Sequence, residues 1–581
     1  MFSKRPYRIG HQNIAKVVKC YKCVFRLFAD KKNPSSAYDV VVVGGGHNGL
    51  AAAAYISQAG FSVCVLERRH VLGGAAVTEE IIPGFQFSRC SYVLSLLRPQ
   101  IIHELKLKEH GLKLHFRNPS SFTPLRDGRH LLLGPNHQEN VDQISKFSTS
   151  DAQVFAKYED DMLKIAKSFA PLMDISPHEL DKFLNHNPFH KGVDLLKSRP
   201  LRQAVSGLAK LGKDARSVWE LLTSPISSIL DGWFESEPLK ASLATDALIG
   251  TMAGPHSPGT GYVLMHHVMG DLDGTPGAWA YPEGGMGAVS QALARSARSH
   301  GAHLFVDKTV QRITIDSNRS ATGVVTEDGL EVKAKYVLSN ATPKVTFNLL
   351  PAEELLSRES IIDLNSIDYT SPVTKINIAV SRIPQFKGTT GVRGSDQILP
   401  HHRTTIHLNC DSMQEVDEAF QAGSAGFLPE RPMIELVIPS SLDKTIAPDG
   451  AHVCLVFSQF TRYSLANGQI WDDDTKEAYA QIVFNSIEDY APGFKSSIVG
   501  YEVLSPPDLE QIFGLTGGNI FHGALSLDQL LLCRPIKTGP SSPYTPVDRL
   551  LICGSGAHPG GGVTGAPGKL AAQAVIASLK K

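Results

Sequence analysis

Gly44, Gly46 and Gly49 carry the spacing G-x-G-x-x-G, and a carboxylate, Glu67, follows about 20 residues on. That pattern is chemistry for holding a dinucleotide. The first glycine permits a tight turn, the second lets a pyrophosphate approach the backbone, and the third lets a helix pack closely on a strand. Phosphates would sit at the helix N-terminus, where free N–H groups and the dipole favour negative charge. Gly45 and Asn48 lie in the same turn and are counted with it. Glu67 stands where a ribose-binding carboxylate belongs, with Arg68 beside it. Gly73 and Gly74 offer a further close backbone approach, or form a plain turn.

A second glycine cluster closes the chain: Gly554, Gly556, Gly560, Gly561, Gly562 and Gly565, with Val563 among them. It follows the apolar run 550–553 and precedes an apolar, small-residue helix at 571–579. Strand, glycine loop and helix again make an anion or cofactor site. A second independent dinucleotide fingerprint is excluded, because Pro559 falls where the third glycine should be.

Other reactive types are scattered. Cys20 and Cys23 form C-x-x-C, while Cys90 has no nearby partner. His256, His266 and His267 lack metal-ligand spacing. Glu283 and His558 flank glycines and are candidates for a general base, although a carboxylate at a helix start is equally a dipole charge.

Elements must position these groups. Residues 40–43 are four valines, as expected for a strand covered on both faces, and 61–66 read as the next strand. The alanines 51–54 suit a closely packed helix. Asp127-Gly128 between apolar residues marks a hairpin across 122–133. Ser150 to Gln153 reads as a capping box ahead of a helix whose face is Phe155, Tyr158, Met162, Ile165 and Phe169. Residues 281–287 open a helix to about 300. Strands at 303–306, 309–315, 323–326 and 335–340 then suggest a meander beside a parallel sheet. Residues 370–540 mix strands, at 375–380, 433–438 and 452–457, with helices, a long one near 476–490 ending before Pro492.

The balance is that of an ordinary globular chain: 581 residues, 42% hydrophobic, 20% charged, net charge zero. A chain of this length holds more than one domain. No overall basic field points to nucleic acid, and no apolar run is long enough to span a bilayer. Eight scattered cysteines make no disulfide framework. Two stretches depart from this balance. Residues 1–29 hold seven Lys and Arg, no Asp or Glu, and apolar residues at helical spacing, which predicts a mitochondrial targeting segment over 1–36. Residues 191–216 are basic and amphipathic; they suit either a solvated helix or a peripheral membrane contact. Arg199-Pro200 should break that stretch in two.

The turn at 44–49 with Glu67 and Gly73-Gly74, the 284–287 segment with its meander, and the 558–562 ending together resemble the FAD-dependent phytoene desaturase and carotenoid isomerase family of amine-oxidase-like flavoproteins. The resemblance runs from about residue 38 to the C-terminus. It implies an α/β fold: a Rossmann-like FAD-binding domain with a parallel sheet and antiparallel meander, and a discontinuous α+β substrate domain. The expected division is 37–125, 280–345 and 545–581 for FAD, and 126–279 and 346–544 for substrate. The resemblance also implies that Val310 meets the adenine through its backbone and that the 554–565 loop closes over the flavin ring. With no dithiol and no second glycine fingerprint, disulfide reduction and a nicotinamide donor are not expected. The expected activity is mitochondrial, in the matrix or on the matrix face of the inner membrane. It is desaturation or isomerisation of a hydrophobic substrate by hydride transfer to the flavin. Amine oxidation is one alternative. Another is an FAD-stabilised protein that binds mitochondrial partners with little turnover.

Overall fold

The structure, a computed structural model, describes residues 7–8, 30, 33–389 and 397–581. The basic N-terminal segment, Cys20 and Cys23 included, lies outside them apart from Tyr7 and Arg8.

Four consecutive valines cannot face water, and the chain buries them at the centre of a seven-stranded sheet. Val63–Leu66 and then His303–Phe305 extend that sheet in parallel on one side of Ala37–Val43. On the other side Glu331–Ser339 runs parallel to it and also to Leu550–Ile552. The start of Glu331–Ser339 closes an antiparallel meander with Ala321–Thr326 and Val310–Ile315. One long strand thus joins the parallel sheet to the meander, the fold class expected.

Small residues let the helices lie close to this sheet. His47–Gln58 buries Ala51, Ala52, Ala53 and Ala54 completely, in one core with Ala571, Ala572 and Val575 of Ala566–Leu579. A Cβ at Gly568 would stand 2.0 Å from the Asn48 carbonyl oxygen, so only glycine permits this crossing. At Gly49 a Cβ would meet the Gly44 carbonyl at 2.4 Å. The third motif glycine therefore serves close packing, as its spacing suggested.

A second, eight-stranded sheet is mostly antiparallel and is built around Val373–Val380 and His452–Gln459. It includes the hairpin Ser121–Pro124 and His130–Leu133. This corrects the boundary at 125: Ser121–Pro124 pairs with Thr405–Leu408 and belongs to the second sheet.

Helices fill 137–268. Thr149–Phe169 is capped by Ser148, whose hydroxyl accepts from the Asp151 N–H, not by Ser150 as the sequence suggested. The Asp151 carboxylate is already used, accepting from the N–H groups of Glu235 and Ser236. The basic stretch breaks as expected into Pro188–Lys197 and Arg199–Lys210, with Ser198 capping the second. Pro188–Lys197 buries none of its residues. Among the described residues no helix is long and apolar enough to cross a membrane.

Candidate active site

The glycine turn does what its chemistry requires. His47–Gln58 starts from Gly46 with no capping side chain and no acidic residue in its first turn, so its N-terminus is left for an anion. Gly44 has φ +95°, a conformation open to glycine. A Cβ at Gly46 would meet Asn340 Nδ2 at 2.6 Å. Glu67 is buried; its two carboxylate oxygens accept from the N–H groups of Gly45 (2.7 Å) and Arg69 (2.8 Å). Each oxygen keeps a second lone pair for a hydroxyl.

These groups line a cavity of about 280 Å³, with Gly44, Gly46, Asn48, Glu67, Arg68, Gly74 and Val310 on its wall. Gly45, Gly49 and Gly73 stand behind that wall. Gly73 bridges to Gly46 and donates its N–H to the Gly45 carbonyl, which locks the two glycine pairs together. Arg68 is held by the carbonyls of Gln511 and Ile512.

The sequence did not single out Asn340, His522 and Ser555 as site residues. Asn340 Oδ1 accepts from the Gly49 N–H at 3.1 Å, and Ser555 Oγ accepts from Asn48 Nδ2 at 3.1 Å. His522 comes from 513–522, a stretch assigned to the substrate region that here forms part of the cofactor wall. Asn340 had a signal: it ends a parallel strand beside the glycine strand, where ligands of open α/β sheets bind. Ser555 lies within the 554–565 loop expected over the flavin ring, and His522 had no signal.

The cavity fits FAD on its own polar atoms. His47 Nε2, Asn48 Oδ1, Arg69 Nη1 and His522 Nδ1 are buried on its wall without a hydrogen-bond partner. Native proteins rarely leave such groups orphaned unless a ligand takes them. Burial holds His47 down at about 4 and His522 at about 3, so both imidazoles are neutral at physiological pH.

A second cavity, of about 220 Å³, adjoins the first and shares His47, Ala75, Leu515, His522 and Ser555 with it. Gly562 and Val563 reach this one. Gly554, Gly560 and Gly561 line neither; they allow close packing, a Cβ at Gly554 falling 2.5 Å from the Asn340 carbonyl oxygen. Behind this loop Arg534 is buried, its guanidinium donating to the carbonyls of Phe521, Gly523, Ala524, Gln529 and Ser555. The candidate bases are elsewhere. Glu283 pairs with Lys113 near the surface, and His558 bonds the Leu172 carbonyl, burial holding it at about 4.

The second cavity has apolar walls, including Leu96, Ile249, Trp279, Phe457 and Phe521, but one polar end. There Arg117 lies over the rings of Trp279 and Tyr281, 5.5 and 5.7 Å from their centroids, and donates to Thr405 Oγ1. Its Nε has no partner. Asp246, Glu435, His267 and His407 share this end. Burial raises Glu435 to about 8, so its carboxyl is protonated at neutral pH and accepts from the Tyr92 hydroxyl at 2.5 Å. Burial also raises Asp246. Nearby, Lys375 is buried beneath Tyr92 with its Nζ 2.6 Å from Asn377 Oδ1, and burial lowers it to about 7. Burial pushes the Cys90 thiol up to about 12, the reverse of what a reactive thiolate needs.

A glycine turn feeding an uncapped helix N-terminus, a buried carboxylate behind it and an adjoining cavity make a dinucleotide site of the kind flavoproteins use. The chain belongs to the flavin containing amine oxidoreductase family, whose pattern it matches over residues 49–414. It is 52% identical over 550 residues to pyridine nucleotide-disulfide oxidoreductase domain-containing protein 2 of Rattus norvegicus, covering 94% of each chain. It is 24% identical over 549 residues to the phytoene desaturase (lycopene-forming) of Pantoea ananas, covering 92% of this chain and 97% of that one. A solved putrescine oxidase shares the fold, with a TM-score of 0.57 at 17% identity, over 94% of this chain and 100% of the other. The protein is an FAD-dependent oxidoreductase.

Proposed function

We propose that this oxidoreductase dehydrogenates a lipid-like substrate with an apolar body and one oxygen-bearing end, leaving a new carbon–carbon double bond. The amphipathic cavity carries this reading. When bound, FAD would supply the two-electron acceptor, taking the substrate's two hydrogens as a hydride and a proton. Leu96, Phe457 and Phe521 exclude water and hold the apolar body. Arg117, with its free Nε, receives an oxygen of the head, and Asp246 and Glu435 complete the polar end. A plain hydrocarbon would leave Arg117 Nε and Asp246 buried without a ligand partner, which costs about 1–3 kcal/mol for each polar group. An amine is the second reading, because Asp246 in an aromatic-lined cavity can also hold an ammonium. Family membership and the desaturase and putrescine oxidase relatives are compatible with both.

Anaerobic mixing tests the choice. Isoprenoid alcohols or acids should bleach the flavin absorbance, a hydrocarbon isoprenoid of equal length should do so far more slowly, and Arg117→Met should abolish the difference. Bleaching by amines alone would replace the first reading with the second. No bleaching by any candidate, together with a stoichiometric partner on pull-down, would support an FAD-stabilised binding protein instead. We also place the protein in the mitochondrion, in the matrix or on the matrix face of the inner membrane, from the acid-free basic segment 1–29. Residues 1–36 fused to a fluorescent protein should direct it there; a diffuse signal would refute the assignment.

A further inference from the structure

Helix Pro188–Lys197 buries none of its ten residues, yet it carries Phe189 and Leu196, exposed at 75% and 77%. Its packed side is Leu195, half-buried against the small core of Leu172, Ile175, Leu201 and Ala204. Leu184, Leu208 and Trp219, on the helices before and after it, are exposed as well, Trp219 at 69%.

Positive charge surrounds these side chains. Residues 177–223 hold eight Lys and Arg (182, 191, 197, 199, 202, 210, 213, 216) against five Asp and Glu (179, 181, 194, 214, 220), in a chain whose net charge is zero. Two of the five acids are already paired, Asp194 with His186 and Asp214 with Lys164. Among the described residues Lys197, Arg199, Lys210 and Arg216 make no ion pair and are exposed. The face therefore offers unneutralised cations interleaved with large apolar groups.

We propose that this helical face, residues 177–223, docks on an anionic lipid bilayer. Its apolar side chains would enter the boundary between headgroups and acyl chains while the Lys and Arg meet lipid phosphates. The separate apolar side chains, on helices that also carry exposed Lys and Arg, suit a laterally uniform anionic surface better than one protein knob.

A cleft of about 1190 Å³ beside this face supports the assignment. Leu195, Arg202 and Lys210 of the same helices form one wall, and Val268, Met269 and Gly270 another. A Cβ at Gly270 would fall 2.2 Å from Ser95 Oγ. Ser95 and His267 line the substrate cavity. Gly270 and Ser95 therefore stand back to back between the cleft and that cavity, so docking would bring lipid close to the place where a lipophilic substrate is needed.

Vesicle flotation of the full FAD-loaded chain, without substrate, tests this independently of the proposed reaction. Phosphatidylcholine vesicles containing phosphatidylglycerol should carry the protein, pure phosphatidylcholine should not, and high salt should release it. Phe189→Glu with Leu196→Glu should weaken partition by about a hundredfold or more, the loss expected from two large apolar side chains. Lys197→Glu with Arg199→Glu should weaken it on the anionic vesicles. Both pairs lie on exposed positions, so melting temperature and flavin content should stay at the wild-type values. The basic N-terminal segment is common to all these proteins and cannot cause the differences. Failure of the wild type to float, equal flotation with either lipid, or wild-type flotation of the Glu pair would overturn the proposal. So would sedimentation showing that the Glu pair dissociates a dimer of this chain while vesicles bind neither form.

Discussion

Glu67→Ala separates two roles of one carboxylate. Its oxygens accept from the buried N–H of Gly45 and the half-buried N–H of Arg69 before any cofactor arrives. Alanine leaves both donors unpaired, at about 1–3 kcal/mol each, so the apoprotein should lose about 2–6 kcal/mol. The same carboxylate faces the cofactor cavity with a lone pair free on each oxygen. Losing one hydrogen bond to a charged acceptor there costs a further ~1.5–3 kcal/mol, which weakens FAD about 10- to 150-fold. Two assays read the two roles: thermal melting of apoprotein, and titration of apoprotein with FAD followed by flavin fluorescence. Glu67→Gln keeps one acceptor and should fall between wild type and alanine in both. If the alanine variant melts lower but binds FAD within twofold of wild type, the ribose role is wrong. If neither quantity moves, the reading of the whole turn is wrong.

Four further outcomes follow from named contacts. Gly46→Val should strip the yellow chromophore, because its side chain starts 2.6 Å from Asn340 Nδ2; normal flavin absorbance after purification would contradict this. Gly568→Val drives a side chain into the Asn48 carbonyl and should destabilise the chain by several kcal/mol, about 3 or more, visible as a lower urea midpoint. Burial lowers Lys375 to about 7 against roughly 10.4 when unfolded, so between those values the unfolded state binds more protons and stability rises with pH. Lys375→Met should remove a rise of up to about 1.4 kcal/mol per pH unit in that window, measured by urea denaturation; an unchanged slope refutes the assignment. Arg534→Leu leaves five carbonyls of the 521–555 region without their donor and should lower both stability and flavin retention, at about 1–3 kcal/mol for each carbonyl left unpaired, read in the melt, with an unaltered flavin content as the contrary result.

The cofactor half was legible in the sequence where local geometry dictates residue type. A turn that needs φ +95° and a helix that must touch a strand admit little but glycine, so Gly44 and Gly49 announced themselves. Four valines in a row announced a central strand. The substrate half was not legible. Arg117, Asp246, Glu435 and Lys375 are common residue types, and their meaning comes from being brought together by strands, a helix and a strand end far apart in sequence. His522 and Ser555 reach the flavin side through loops that no periodicity marks. The misplaced cap at Ser150 has a smaller cause: Ser148 and Ser150 are both capping residues, and only the final helix register chooses between them. Glu283 and His558 drew attention because they flank glycines, yet one answers a surface lysine and the other a backbone carbonyl.

The hydrogen bond from Asn48 to Ser555 joins residues 507 positions apart, and the cofactor cavity straddles that junction. Bound FAD would therefore bridge two turns separated by most of the chain, one near its start and one near its end. A ligand bound only to the folded form withdraws molecules from the pool open to proteases. The consequence lies in supply. A cell short of riboflavin would lose this protein from its steady-state population, not merely carry it in an idle form. Its abundance, followed by immunoblot during riboflavin depletion and repletion, would then report vitamin status with its messenger RNA unchanged.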